Sequence, residues 1–463
     1  MVSMFNSTIA AVSTPRGKGG IAVIRVSGND AVRICSQFVF PVNNAPLSSV
    51  KANTAVLCRV LSSDGEVMDE AIVTVFHAPR SYTGEDTVEI SCHGGILLTD
   101  EILTRTFECG AVQATAGEFT RRAFSAGKMT LSEAESVIGV IDAQSSAALR
   151  LARSNLGGTL TKRVEGVYAL IRSVVSSVYA GIDFPDEDLQ TMDDGEMMRG
   201  IIEAKNELIS LADTYRIGHA VCDGIPTAIC GKPNTGKSSI LNLLLGEKRA
   251  IVTDIPGTTR DMIRENAVLG DVTLNLRDTA GIRETADAVE KIGIDVALEQ
   301  IGGCELILAV FDGSRELDGD DDRIIENVSR AAKSGAQAIA LINKRDCTIA
   351  ADTARIGAEF AHVLTVSAFD GSCRGMIADK INELFVGGAL DTSSGIVTTA
   401  RQHASVLRAL DAVRDAERAL SDYGADTAGS ELERAMAELG ELDGREIGAD
   451  IVDSIFHKFC VGK

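Results

Sequence analysis

The feature that most narrows the fold of this chain is the octapeptide Gly231-Lys232-Pro233-Asn234-Thr235-Gly236-Lys237-Ser238, which directly follows an apolar run ending at Cys230. It has the form GxxxxGK[ST]. In such a loop the backbone N–H groups turn inward towards phosphate oxygens, and the helix that follows adds its positive N-terminus. From Gly218 to about Phe385 the pattern is strand, loop and helix, repeated. Strands are expected at Thr227–Cys230, Val272–Leu276, Leu306–Phe311, Ala338–Ile342 and His362–Val366. Strands alternating with helix-length segments predict a doubly wound, largely parallel sheet. Taken alone, the octapeptide also fits a glycine-rich strand–helix turn with no ligand.

The rest of the chain reads differently. Its 463 residues suggest two or three domains. From Thr8 to about Phe107, β-rich runs such as Ile21–Val26, Ala71–Phe76 and Thr87–Ser91 alternate with glycine and proline turns. A helical stretch falls near Asp100–Phe107, and the whole reads as a compact α+β domain. Residues 129–215 carry apolar positions at helical spacing, among them Ile138, Ile141, Leu149 and Leu151, with a turn expected at Phe184-Pro185. After a Thr/Ser/Gly-rich joint at Asp391–Gly395, helical periodicity returns. The simplest arrangement inserts the α/β unit between two halves of one helical domain. The expected segments are 1–120, 121–216, 217–385 and 386–463.

Composition excludes several classes. No apolar run approaches the roughly 18 residues that span a membrane, and Met1–Ala11 lacks the pattern of a secretory signal. The ten cysteines show no CxxC pair and no Cys/His cluster at zinc spacing, which fits reduced thiols in a cytoplasm. With a net charge of −21 and a pI near 4.8, the chain does not look like one that grips nucleic acid broadly. Any RNA contact must use a local basic patch or come through a partner.

Three further pieces complete the nucleotide chemistry. Asp278-Thr279-Ala280-Gly281 follows the alternating strand Val272, Leu274, Leu276, where an acidic residue can support the Mg²⁺ shell and Gly281 can meet a γ-phosphate. Asn343-Lys344-Arg345-Asp346 has the NKxD form, and its aspartate can accept from guanine N1 and the 2-amino group. Ser367-Ala368, after the last strand, can place N–H groups against guanine O6. In this order the motifs specify GTP. Lys237 would reach the β- and γ-phosphates and Ser238 would ligate Mg²⁺. Ras-type enzymes orient water with a glutamine just after DxxG. Here that position is Ile282, so the orienting group must come from elsewhere. Candidates are Gly257-Thr258-Thr259-Arg260-Asp261, where Thr259 can complete the Mg²⁺ shell, and the charged stretch Arg283–Glu290. A solvated helix face is the plainer reading of those charges.

GKPNTGKSS, IVTDIPGTTRD and DTAGIRE resemble the MnmE (TrmE) family of tRNA-modification GTPases. So do TIAAVSTPRGKGGIAVIRVSG at Thr8–Gly28, SYTGED at Ser81–Asp86, CHGG at Cys92–Gly95, GEFTRRAF at Gly117–Phe124 and the terminal FCVGK at Phe459–Lys463. The resemblance covers the whole chain. It implies an N-terminal α+β folate-binding domain that dimerises, a discontinuous α-helical domain and an inserted α/β P-loop G domain. Nucleotide contacts are then expected at Asn234, Thr235, Gly236, Lys237, Ser238, Ser239, Thr253, Thr259, Asp278, Thr279, Ala280, Gly281, Asn343, Lys344, Asp346, Ser367 and Ala368.

The resemblance further implies K⁺-stimulated hydrolysis, with Asn234, Thr253, Ile255 and Thr258 holding the ion. Glu290 is implied as general base or water-orienter acting through a bridging water, and Arg260, Asp261 and Arg283 as switch residues. Arg25, Glu89, Lys128 and Lys463 are implied folate contacts for a 5-formyl- or 5,10-methylene-tetrahydrofolate. Cys460 matches a cysteine with a role in the modification chemistry, its thiolate favoured by Lys463. A buried cysteine packing the C-terminal helix is the alternative. The implied product is a 5-carboxymethylaminomethyl or aminomethyl group on wobble uridine 34 of tRNA. The implied assembly is a cytoplasmic homodimer joined in a heterotetramer by MnmG, a partner that uses FAD and NADH and carries most of the tRNA surface. Two positions depart from the family pattern: Ser367-Ala368-Phe369 lacks a basic third residue, and Arg401-Gln402-His403 replaces a more basic run. A regulatory GTPase of ribosome assembly would share the nucleotide motifs but would not need SYTGED or FCVGK. A nucleotide-gated scaffold would share them too, yet would transfer no carbon to tRNA.

Overall fold

The computed structural model describes residues 7–183, 192–246, 265–276, 303–387, 390–445, 448–457 and 459–462. The chain divides into two compact units, one of residues 1–138 with 439–463 and one of residues 139–438. Among the described residues no helix is long and apolar enough to cross a membrane.

In the first unit seven strands form one sheet: β1 (Ile9–Val12), β2 (Ile21–Ser27), β3 (Val39–Pro41), β4 (Thr54–Leu61), β5 (Val67–Phe76), β6 (Thr87–His93) and β7 (Val112–Gln113). Their order is β3-β4-β5-β6-β2-β1-β7, antiparallel throughout except for the β1–β7 pair. Period-2 alternation sorts the two faces. Ala22, Ile24 and Val26 point into a core closed by Ile34 of the helix Ala31–Cys35 and by Ile102 and Leu103 of the helix Ile96–Glu108. Arg25, in register with Glu89, faces the other way. On that face Arg122, from the helix Glu118–Ser125, is only 2% exposed and pairs with Glu85 at 3.1 Å and Glu118 at 2.7 Å.

The C-terminal tail returns to this sheet. Phe456 and Phe459 pack against Leu131 and Ala134, Val461 bridges to Ala116, and the Ser13 hydroxyl donates to the Gly462 carbonyl at 2.9 Å. Gly462 sits at φ +99°, and a Cβ there would lie 2.2 Å from the Val12 carbonyl oxygen. Only glycine lets the tail lie so close.

In the second unit the helices Ser146–Leu156, Thr159–Asp183, Asp194–Asp213 and Tyr215–Cys222 precede a six-stranded sheet, and the helix Ala400–Asp422 follows it. The strands are β8 (Ile225–Cys230), β9 (Glu265–Leu269), β10 (Val272–Leu276), β11 (Leu306–Asp312), β12 (Gln337–Asn343) and β13 (His362–Thr365), in the order β13-β12-β11-β8-β10-β9. All pairs are parallel except β9–β10. Every residue of β11 is buried, as a central parallel strand covered on both faces requires. The edge hairpin partner β9, a short ENAVL segment, carries no clear strand signal in the sequence. The expected turn at Phe184-Pro185 lies outside the described residues.

The chain enters and leaves the α/β part side by side. Asn155 Nδ2 donates to the Ile396 carbonyl at 2.8 Å, and Val397 N–H donates to Thr214 Oγ1 at 3.0 Å. Gly218 presses so close to this exit strand that a Cβ would come 2.0 Å from the Val397 carbonyl oxygen. Adjacent ends are what an inserted domain needs. The helix Asp194–Asp213 packs beside Ala400–Asp422, tied by Lys205 to Glu417 at 2.7 Å.

His219, on the entry helix, braces the junction. Its Nδ1 meets Asp223 Oδ2 at 3.0 Å and its Nε2 meets Glu305 Oε1 at 3.1 Å, just before β11. Tyr215 stacks between this ring, at 5.5 Å, and His403, at 4.2 Å. The hydrogen bond to Asp223 and then that to Glu305 push the imidazolium pKa up to about 9, against the opposing effect of burial. Because the folded value exceeds the unfolded one, the contribution is complete below the unfolded pKa of about 6.5 and fades as pH rises through 9. The unfolding midpoint should therefore fall more steeply from pH 6.5 to 9 in the native chain than in His219→Gln. Parallel melting curves across that range would contradict the brace.

Candidate functional site

The strand β8 delivers the chain into the phosphate loop at Gly231, which stands at φ +151° where a Cβ would lie 2.4 Å from the Val310 carbonyl oxygen. Gly236, at φ +96°, closes the loop, and a Cβ there would strike Asn343 Nδ2 at 2.2 Å. These two contacts explain why the motif places glycine at both ends. The helix Lys237–Leu245 then starts with Gly236 as its N-cap. Asn234 is exposed and held at φ +63°, a left-handed conformation uncommon outside glycine. Such backbone settings recur at ligand clamps.

Inside the loop Lys237 Nζ donates to the Lys232 carbonyl at 2.6 Å, and Thr235 Oγ1 donates to the same oxygen at 2.9 Å. Burial lowers the pKa of the Lys237 ammonium, which lies near the Cys230 thiol. That thiol is itself pushed up to about 12 by burial, so it is neutral and inert. Ser238 is exposed and Ser239 partly so. The loop thus gathers an ammonium, hydroxyls, a side-chain amide and a helix N-terminus, a donor set that suits a polyphosphate with its divalent cation.

The segments expected to read the base lie beside it. Asn343, 3% exposed, donates from Nδ2 to the Thr235 carbonyl at 2.9 Å and accepts from the Ala368 N–H at 3.0 Å. One side chain therefore ties the phosphate loop to both segments expected to read guanine. Ser367 Oγ donates to Asp346 Oδ1 at 2.6 Å. This bond, foremost among several, holds the exposed Asp346 carboxyl below the usual range, so it is ready to accept. Lys344 sits at φ +67° with Nζ on Asp312 Oδ2 at 2.6 Å. Burial pushes Asp312 up, but donation from Lys344 and Ser314 outweighs it and the net shift is downward. Phe369 is 87% exposed.

Of the expected nucleotide residues, Asn234, Thr235, Gly236, Lys237, Ser238, Ser239, Asn343, Lys344, Asp346, Ser367 and Ala368 are thus brought to one end of the parallel sheet. Thr253, Ile255, Thr258, Thr259, Arg260, Asp261, Asp278, Thr279, Ala280, Gly281, Arg283 and Glu290 lie outside the described residues. Lys463 does too.

In the N-terminal unit Arg25 and Glu89 pair directly, Nε to Oε1 at 2.8 Å, across adjacent strands. The Arg25 guanidinium stands 5.5 Å from the Tyr82 ring centre and 5.6 Å from that of Phe119. Tyr82 OH is 2.9 Å from Thr120 Oγ1. Lys128 is exposed and donates to the Pro79 carbonyl at 2.8 Å. Glu85, Arg122 and Tyr82 complete a polar and aromatic cluster that the motifs SYTGED and GEFTRRAF contain but that spacing alone could not assemble. Cys460 is exposed, which overturns the reading of a buried packing cysteine; Phe456 and Phe459 fill that core instead. Among the described residues no cluster of histidines, cysteines and carboxylates could hold a metal ion.

Two family models match. One, described as the GTP-binding protein TrmE N-terminus, covers residues 8–128, and another, the MnmE helical domain, covers residues 131–460. The tRNA modification GTPase MnmE of Geobacter metallireducens is 39% identical over 467 aligned positions, spanning 98% of this chain and 99% of that protein. The protein of the same name from Carboxydothermus hydrogenoformans is 35% identical over 99% of this chain and 100% of its own length. That from Lactococcus lactis is 37% identical over 98% of each. Among solved structures, Era from Aquifex aeolicus bound to GDP and AlF4⁻ aligns with 42% of this chain and 67% of its own, at 25% identity and a TM-score of 0.27, too slight a likeness to bear on the fold. Both family models and full-length relatives point the same way: the chain belongs to the MnmE (TrmE) family of tRNA modification GTPases and is a GTP hydrolase acting in tRNA modification.

Proposed function

We propose that this chain is a K⁺-stimulated GTPase that, as a cytoplasmic homodimer, works with MnmG to build the 5-carboxymethylaminomethyl or aminomethyl group on wobble uridine 34 of tRNA. The carbon comes from 5-formyl- or 5,10-methylene-tetrahydrofolate, and FAD and NADH act on the partner. The observation carrying this reading is that one chain joins a G site to an N-terminal unit whose sheet presents the Arg25–Glu89 pair, with the tail bearing an exposed Cys460 returned to that unit. GTP hydrolysis alone needs neither of the last two.

In this reading Lys237 binds the β- and γ-phosphates, Ser238 and Thr259 hold Mg²⁺, and Asp346 with the Ser367 and Ala368 backbone reads guanine. The exposed amide of Asn234, with Thr253, Ile255 and Thr258, holds K⁺. A cation between the phosphates neutralises charge that develops as the γ-phosphoryl leaves, in place of an arginine finger. Glu290 orients the water that Ile282 cannot. In the N-terminal unit Arg25, Glu89, Lys128 and Lys463 hold the folate, whose glutamate tail suits cations and whose aminopyrimidine edge suits a carboxylate. The acidic balance of the chain fits a division of labour in which MnmG grips most of the tRNA.

Two expectations follow from these assignments. GTP turnover at matched ionic strength should be much faster in K⁺ than in Na⁺, and Asn234→Ala should erase that difference; a difference that persists removes Asn234 from the ion. Cys460→Ser should leave GTP turnover intact and abolish transfer of isotope-labelled folate carbon to tRNA in the presence of MnmG. Full transfer by that variant would remove Cys460 from the chemistry.

A further inference from the structure

Lys232, the second residue of the phosphate loop, is only 6% exposed, and its ammonium is held by two carboxylates. These are Asp318 and Asp321, the latter at 3.0 Å from Nζ and itself 2% exposed. Both belong to the capping box that opens the helix Gly319–Lys333: Asp318 accepts from the N–H groups of Asp320 and Asp321, and Asp321 Oδ2 accepts from the Asp318 N–H at 3.1 Å. The anchor is therefore rigid, because the same two side chains terminate a 15-residue helix packed on the sheet. At the other end of the residue, the Lys232 carbonyl receives both Lys237 Nζ and Thr235 Oγ1. The side chain fixes the residue, and the residue's carbonyl fixes the ammonium that meets the phosphates.

We propose that Lys232 is a positioning residue for GTP hydrolysis, an ionic brace that locks the phosphate loop to the N-terminus of the helix Gly319–Lys333 and thereby sets the place of Lys237. The inference rests on reading residues 231–239 as the phosphate loop. A neutral hydrocarbon of the same length would fill the space and lose the lock, while arginine would keep it. Loss of the lock should be felt most where Lys237 does most, at the γ-phosphate and in the transition state. GDP, which lacks that group, should notice it less. This split separates positioning from general damage to the loop.

Lys232→Met leaves Asp321 buried and uncompensated, which by itself can unfold a domain. The decisive variant is accordingly Lys232→Met with Asp318→Asn and Asp321→Asn, in which asparagine still caps the helix and no charge is stranded. In the full-length chain this triple variant should bind a fluorescent GDP analogue within about threefold of wild type and hydrolyse GTP about tenfold more slowly or worse. Lys232→Arg should stay within about threefold on both counts. Wild-type turnover in the triple variant, equal loss of GDP and GTP binding, or no advantage of Lys232→Arg over Lys232→Met would overturn the brace. Lys237→Ala distinguishes the two levels of the argument. If it abolishes turnover while the Lys232 variants behave as wild type, only the brace falls; if it leaves turnover intact, the phosphate-loop reading falls with it.

Discussion

The buried amide of Asn343 is the interaction on which the nucleotide site turns. It ends β12, donates to the phosphate loop at Thr235 and accepts from the loop at Ala368. A side chain buried to this extent must satisfy its polar atoms within the protein. Here it does so by holding two loops, separated in sequence by more than a hundred residues, at a fixed distance from each other. The brief approach of Gly236 to the same amide shows how tightly the arrangement is drawn, since even a methyl group at residue 236 would collide with it.

Around this bridge the charges are arranged in sequence. Lys344 lies on Asp312, Arg315 stands 3.7 Å from both Asp312 and Asp318, and Asp318 holds Lys232. The loop after β11 thus runs from Lys344 to the phosphate loop as one alternating series of charges. Exposed pairs of this kind contribute little each. Within it, though, Lys232 and Asp312 are largely buried, and there a missing partner would be costly. Further out, Tyr215, His219 and His403 join the entry helix, the sheet and the helix Ala400–Asp422. The same His403 that departs from a more basic family run is used as a stacking surface.

Much of this was legible in the chain. The central strand β11 announces itself as a continuous apolar run because both its faces are covered, and β8, β10, β11, β12 and β13 fall within two residues of where the pattern puts them. The glycines of the phosphate loop were legible because the loop demands special backbone settings, as Gly231 at φ +151° and Gly236 at φ +96° show. Strands such as β4 and β9 were harder: β4 is largely exposed on one face, and β9 is a five-residue edge whose pairing depends on the Gly270-Asp271 turn. Side-chain partnerships were not legible at all. Lys232 meets residues 86 and 89 positions away, and Arg122 meets Glu85 37 positions away. Such pairs leave no periodicity in the sequence; only the fold brings them together. The exposure of Cys460 was equally hidden, since Phe456 and Phe459 could have shared their core with it.

In the proposed function the site formed by Asn343, Asp346, Ser367 and Ala368 reads guanine. Competition between GTP and xanthosine triphosphate in the Asp346→Asn variant tests it most directly. An amide in place of the carboxylate turns one acceptor into a donor and matches the 2-oxo group of xanthine in place of the 2-amino group of guanine. If guanine is read there, preference inverts, with GTP weakened by about two orders of magnitude and xanthosine triphosphate bound and hydrolysed in its stead. Undiminished preference for GTP in that variant would contradict it.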